Sequence, residues 1–195
     1  MNFGEPFGGL MPGARGAALA VLLRTGAPLT GRRIHSLVAG HSLGAVQQAL
    51  RDLERIGVIT TETVGRAGVH SVNENHEAIA PLRSLASPIE MLTRVVHEVA
   101  LDVEAVVVFG SVARGTAHAG SDIDLMVIAP EAWGGRADLQ QHVHERLGNE
   151  CDVLHLTRED FARAPEDREP VVAEILRDGL ALVGTMPRTS RRNAS

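Results

Sequence analysis

Two aspartates, Asp122 and Asp124, stand with one residue between them in the run Ser121-Asp122-Ile123-Asp124-Leu125-Met126-Val127-Ile128. If that run is a strand, both carboxylates emerge on one face, while Ile123 and Leu125 point the other way into the core. Adjacent carboxylates repel, and a protein seldom keeps such a pair beside a buried strand unless a cation lies between them. Oxygen ligands suit Mg²⁺, which is commonly held by one or two carboxylates together with substrate phosphates. Two such ions about 3.5–4 Å apart would clamp the attacking and leaving oxygens of an in-line phosphoryl displacement. A phosphate seat is legible just upstream. Val106-Val107-Val108-Phe109 is a short apolar run that reads as a buried strand, and Gly110-Ser111 ends it. Val112-Ala113-Arg114 then begins a helical turn, so backbone N–H groups and a hydroxyl converge on one spot. Gly115 breaks the turn, and Thr116 to Gly120 is a small polar loop.

Gly110-Ser111, ten residues, then Asp122-x-Asp124 on a strand resembles the signature of the DNA polymerase β-type nucleotidyltransferase superfamily. "GSVARGTAHAGSDIDLMV" is similar in particular to its minimal, stand-alone bacterial branch, and the resemblance covers roughly Ser87 to Thr185. It implies an α/β (α+β) domain with a mixed sheet flanked by helices. It also implies transfer of a nucleoside monophosphate from a nucleoside triphosphate to a hydroxyl of a protein, nucleic acid or small molecule, with pyrophosphate released. Asp122 and Asp124 would hold two Mg²⁺ or Mn²⁺ ions. A third acidic residue on a neighbouring strand completes such sites and can draw the proton from the attacking hydroxyl. Asp152, at the start of the run Asp152 to Leu156, fits that place, with Glu150 as the other candidate. Gly110, Ser111, Arg114 and Ser121 would contact the nucleotide; Gly110 keeps side chains away from the phosphates, and Arg114 either steadies the triphosphate or pairs with Asp122.

The elements around this motif follow from pattern. Ser87-Pro88-Ile89-Glu90 is a helix start, with Ser as cap, Pro at the first position and Glu at the third. The helix runs to about Ala100 with Ile89, Leu92, Val96 and Val99 inward. Ala137 to Leu147 and Glu169 to Arg177 are further helices, and Gly179 to Val183 is a short closing strand. The nucleotidyltransferase domain thus occupies residues 88–185, followed by a polar tail at 186–195 that reads as disordered.

Upstream, residues 1–12 are rich in Gly, Pro and Phe without periodicity and read as a flexible arm. Gly13 to Arg24 is a helix with Leu19, Leu22 and Leu23 inward. Thr30 caps a short second helix that buries Ile34, Leu37 and Val38. Ser42 caps a third, whose stripe Leu43, Val46, Leu50, Leu53 and Ile56 ends at Gly57. Val58 to Thr63 and Val69 to Val72 are two strands joined at Gly65-Arg66-Ala67-Gly68. This order, with "SLGAVQQALRDLERIGVIT", resembles the winged helix-turn-helix domain of bacterial transcription factors over residues 13–74. The resemblance implies that the third helix enters the major groove of double-stranded DNA, presenting Ser42, Ala45, Gln47, Gln48 and Arg51. Gln reads adenine bidentately and Arg reads guanine. Arg66 would reach a phosphate or the minor groove, and Arg32 and Arg33 the backbone. Residues 75–87 form a linker helix kinked at Pro81.

Composition supports two units with different partners. Residues 1–74 hold seven Arg against five acidic residues, whereas residues 101–195 hold ten Arg against sixteen, within a net charge of −5. The single cysteine, Cys151, excludes an internal disulfide, fits a reducing cytoplasm and reads as a small core residue. No apolar run approaches a membrane span, and no signal peptide opens the chain. Nine histidines fall in no zinc spacing. A regulator whose nucleotidyltransferase domain senses nucleotide or is inert is the alternative. Minimal nucleotidyltransferases also resemble antitoxins that modify a toxin partner, which would unite enzyme and regulator. Delivery of a nucleic-acid acceptor such as a tRNA end is less favoured, since four Phe and one Trp offer no stacking platform. Reading a palindromic operator would imply a homodimer.

Overall fold

Helical and strand periodicities divide near Pro88, and so does the computed structural model, which describes residues 1–163 and 170–186. One unit is Glu5–Pro88; the other joins Met1–Gly4 to the chain from Ile89 onward.

In the first unit, α1 (Gly13–Thr25) is apolar on almost every side, and Ala18 to Leu23 are all buried. β1 (Leu29–Thr30) follows. Thr30 then caps α2 (Gly31–Leu37) by accepting from the Arg33 N–H at 3.3 Å. Ser42 caps α3 (Leu43–Arg55) in the same way, accepting from Ala45 N–H at 3.2 Å. The buried stripe of α3 is Val46, Ala49, Leu50 and Leu53. β2 (Ile59–Val64) and β3 (Ala67–Val72) form a hairpin, and β1 pairs with the far edge of β3, giving an antiparallel sheet ordered β1-β3-β2. The turn is tighter than the sequence suggests: Val64 pairs with Ala67, leaving Gly65 and Arg66 to close it, with Gly65 at φ +64°. β1 was not legible because two residues carry no periodicity.

Three expectations for this unit change. Leu37 and Ile56 are 43% and 59% exposed, because each lies at a helix end where the stripe has already passed off the core. The segment before α1 is not a loose arm. Phe7 lies in a 3₁₀ turn (Pro6–Gly9) and is buried among the residues of α1, while Phe3 is buried in the other unit. Their aromatic rings supply the burial that the Gly-rich composition concealed. In the segment 75–87, α4 (Ile79–Leu85) buries Ile79 in the first unit's own core. Pro81 falls within its first turn, where a missing N–H breaks no helical bond and forces no kink.

The second unit is built on a mixed sheet ordered β6-β5-β4-β7. α5 (Pro88–Val99) precedes β4 (Ala105–Phe109), every residue of which is buried. α6 (Gly110–Ala113) is a single turn, and β5 (Ile123–Ile128) runs antiparallel to β4. α7 (Arg136–Leu147) crosses over to β6 (Cys151–Leu156), parallel to β5. α8 (Arg158–Arg163) and α9 (Pro170–Asp178) precede β7 (Leu180–Val183), antiparallel to β4. Ile123, Leu125, Val127 and Val153 face Leu92 and Val96 of α5 and Leu139 and Val143 of α7. Met126 and Ile128 share the opposite face with Phe161, Val172 and Ile175. α8, for which the sequence gives no expectation, is held by Phe161 at 1% exposure. Glu169 and residues 187–195, expected as a helix start and a disordered tail, lie outside the described residues. Among the described residues no helix is long and apolar enough to cross a membrane.

Candidate active site

The three aspartates meet at one end of this sheet. Asp124 is the second residue of β5 and Asp152 the second of β6, and the parallel register pairs them directly. On the other side Asp124 pairs with Phe109, the last residue of β4. Asp122 stands just before the first residue of β5, two positions from Asp124. The start of the register is fixed by Ile123, whose N–H donates to Glu150 C=O at 2.9 Å. Asp122 and Asp152 are exposed, whereas Asp124 is half-buried. Burial pushes the Asp124 carboxyl above the usual carboxylate range, and the charges of Asp152, Asp122 and Glu174 push it further, with Arg114 opposing. An acid held this way carries a cost that a cation would relieve.

Gly110 shows how tightly the turn is drawn over that carboxylate. Its φ is +68°, and a Cβ added there would lie 2.3 Å from Asp124 Oδ2. The glycine therefore clears space for Asp124 itself, a different reason from the phosphate clearance read from the sequence. Ser111 follows in α6, and its carbonyl accepts from Thr116 N–H at 3.0 Å, which folds the loop back on the turn. Ser121 Oγ accepts from His118 N–H at 2.9 Å, so this hydroxyl shapes the loop that leads to Asp122.

The sequence reading missed what braces that loop. Among the described residues Asn149 is the buried polar one, at 4% exposure, and its Nδ2 donates to Ser121 C=O at 3.0 Å and to Met1 C=O at 2.9 Å. Ala117 is buried, and Gly4 approaches so closely that a Cβ there would lie 2.0 Å from Ala117 C=O. An Asn after a helix-ending glycine, Gly148 at φ +74°, was the available signal, and it reads as a cap before it reads as a brace.

Arg114 caps the C-terminal end of α6, and its guanidinium pairs through Nη1 with Glu174 and, at 3.7 Å, with Asp178, both on α9. Of the two partners expected for it, Asp122 is not the one it takes. Glu150 points its carboxylate toward His144, 3.4 Å away, leaving Asp152 as the third acid of the cluster. Burial pushes the Cys151 thiol up to about 12, with Asp152 and Asp124 adding to it, which leaves the sulfur protonated and unreactive.

Among the described residues no three His, Cys, Asp or Glu side chains stand close enough to enclose a metal ion by themselves. Mg²⁺ does not require such an enclosure, since it keeps waters and takes substrate phosphates as ligands. The all-oxygen donor set and the raised Asp124 carboxyl fit that ion.

In the first unit, Gln47, Gln48 and Arg51 are exposed on α3, Arg32 and Arg33 are exposed on the first turn of α2, and Arg66 is exposed in the hairpin turn. Gln48 donates from Nε2 to Asp52 at 3.0 Å and accepts from Arg51 at 2.6 Å. Asp52 is also paired with Arg15 and Arg55, each at 3.0 Å. Arg15 bonding and those neighbouring charges hold the Asp52 carboxyl below the usual range. Ser42 is exposed, with its hydroxyl occupied as the cap of α3.

Residues 92–179 match the family described as Polymerase beta, Nucleotidyltransferase, a segment that carries β4, β5, β6 and all three aspartates. No curated protein matches the chain. Among solved structures, a toxin–antitoxin crystal structure with AMP-PNP is 22% identical, aligning 50% of this chain with 73% of that one at a TM-score of 0.39. A tri-AMPylated Shewanella oneidensis HEPN toxin in complex with MNT antitoxin is 19% identical, aligning 50% with 70% at a TM-score of 0.35. Likeness this slight says nothing of substrate or partner.

Proposed function

Starting from a nucleotidyltransferase domain whose aspartates gather at one end of its sheet, we propose that the protein transfers a nucleoside monophosphate from a nucleoside triphosphate to a hydroxyl acceptor. The observation that carries the reading is the pairing of Asp124 with Asp152 beneath the Gly110 turn, with the Asp124 carboxyl raised by its neighbours. Asp122, Asp124 and Asp152 are the residues that would hold Mg²⁺ or Mn²⁺. The ions, when bound, neutralise charge on the reacting phosphates. Gly110 and Ser111 receive the phosphates through their backbone N–H groups and the Ser111 hydroxyl. Arg114 faces the same phosphates, and Ser121 holds the loop beside them. Asp152, exposed and at the outer edge of the cluster, orients the acceptor hydroxyl and takes its proton. The acceptor oxygen then bonds to the α-phosphorus as the bond to the β-phosphate breaks and pyrophosphate leaves.

The test is calorimetric titration of each nucleoside triphosphate with Mg²⁺ into wild type and into the Asp122→Asn/Asp124→Asn variant. Micromolar, Mg²⁺-dependent binding that vanishes in the variant supports the reading. Absence of binding by wild type to every nucleotide refutes it.

The first unit favours a second role, DNA binding. Its order α1-β1-α2-α3-β2-β3 with a β1-β3-β2 sheet supports a winged helix-turn-helix, and α3 presents Gln47, Gln48 and Arg51 to solvent. On this reading Arg32, Arg33 and Arg66 contact backbone phosphates, while Ser42 lies at the end of α3 nearest the bases. Selection of binding sites from random duplex DNA tests it. A recovered consensus together with a catalytically silent second unit would leave a regulator or antitoxin-like protein; an active second unit would make a toxin partner a candidate acceptor.

A further inference from the structure

Glu174 belongs to no motif in the sequence, yet it pairs with Arg114, the residue that closes the turn after Gly110. Arg114 closes α6 one turn after Gly110, and its Nη1 meets Glu174 and Asp178, which are four residues apart and so share a face of α9. The side chains of Glu174 and Asp178 are only 31% and 20% exposed. Val172 and Ile175 anchor the same helix in the core, which makes α9 a fixed support. Asp178 is further engaged by Arg177 at 2.8 Å, so its charge is shared, and Glu174 remains the principal partner of Arg114. Both Glu174 and Arg114 lie near enough to Asp124 to act on its carboxyl, in opposite directions.

A surface arginine tied by one terminal nitrogen keeps other N–H donors for a second acceptor. Such a side chain loses little additional rotamer freedom when it takes up a phosphate. We infer that Glu174 is a positioning residue: it holds the Arg114 guanidinium by Nη1 at the mouth of the aspartate cluster, ready to meet the triphosphate. This rests on the nucleotidyltransferase reading above and names the device by which Arg114 serves it. Glu174 makes no contact with substrate and contributes only through Arg114.

A double-mutant cycle on the full-length protein tests this, with ATP and Mg²⁺ as the probe and calorimetric Kd as the readout. Glu174→Gln keeps the shape of the side chain and removes its charge; it should weaken ATP binding about tenfold. Arg114→Ala should weaken binding by at least as much, and adding Glu174→Gln to Arg114→Ala should weaken it no further, because nothing remains to position. Glu174→Asp, which keeps the charge on a shorter stem, should recover part of the loss. If Glu174 merely packs α9, the melting temperature falls and the Kd penalty persists undiminished in the Arg114→Ala background, which overturns the inference. It is also overturned if Glu174→Gln binds ATP as wild type does, or more tightly, the latter showing a pair that must break for the nucleotide to enter. Should Glu174→Gln fail to fold, the comparison of Glu174→Asp with and without Arg114→Ala reads the same coupling. Failure of wild type to bind ATP refutes the underlying reading, and the inference with it.

Discussion

The aspartate cluster of the second unit and the exposed face of α3 in the first unit are held in different ways. Asp124 is fixed by its place in β5, by a partner aspartate across the register and by a glycine whose Cβ would strike its carboxylate. Gln48, in contrast, is bonded to Arg51 and to Asp52 along one helix, in the i,i+3 and i,i+4 pattern that any solvated helix can adopt. The first arrangement crowds like charges at a half-buried site and costs stability, so it needs a reason. The second is nearly free and needs none. Geometry therefore argues for the chemistry of the cluster far more strongly than for the contacts of the helix.

The largest effect should come from removing the crowded charges. Asp122→Asn/Asp124→Asn should reduce nucleotidyl transfer about a thousandfold or more while the circular dichroism spectrum is kept. Retention of transfer by that variant would mean that the cluster is structural and would erase the contrast with α3. Next in size is a pair of glycine substitutions, one from each unit. Gly110→Ala meets both the positive φ and the Asp124 carboxylate, and should cost about 1–3 kcal/mol with loss of nucleotide binding. Gly65→Ala has nothing within 4 Å of its new Cβ, and should cost about 1–2 kcal/mol with nucleotide binding intact. Thermal melts and ATP titrations of both variants separate a strained turn from a strained site.

The same distinction governs what could be read beforehand. Asp122, Asp124, the Val106–Phe109 strand and the capped helices at Thr30 and Ser42 were legible because each is a local pattern with a period or a cap. The pairing of Asp124 with Asp152 was legible only as placement, since register depends on the crossover through α7. The bracing roles of Asn149, Glu174 and Phe3 were not legible. Their roles depend on contacts across 28 residues for Asn149 with Ser121 and 60 for Arg114 with Glu174, and no periodicity records such distances. The misjudged Leu37 and Ile56 mark the opposite limit, where a stripe is extended past the point at which the helix leaves the core.

Stability against pH gives a third, smaller effect confined to the second unit. Because the folded state raises the Asp124 carboxyl above its ordinary value of 3.8, the folded protein binds that proton more tightly than the unfolded chain. The group's contribution is therefore greatest below 3.8 and is lost as pH rises through the raised value. Asp124→Asn should match wild type in melting temperature at the acid end of a calorimetric pH series and exceed it at neutral pH. Saturating Mg²⁺ with ATP should raise wild type and leave the variant unmoved. A variant less stable than wild type at neutral pH would show that the carboxylate is already compensated within the protein.

The smallest effects belong to the exposed face, and they decide whether it reads DNA. If Arg51 meets a base edge, Arg51→Ala should cost about 1–3 kcal/mol on the preferred duplex and little on unrelated sequence, since only a base contact carries sequence information. Arg66, in the hairpin turn, has no such option if it touches a phosphate. Arg66→Ala should then weaken binding to all duplexes alike and make the slope of log affinity against log salt shallower by about 0.9, the release of one counterion. Two substitutions on one unit would thus differ in kind: one narrows the gap between specific and unspecific DNA, the other shifts both together. If neither variant alters binding at any salt concentration, the Gln48–Arg51–Asp52 network is a solvated helix face and nothing more, and the asymmetry between the two units is complete.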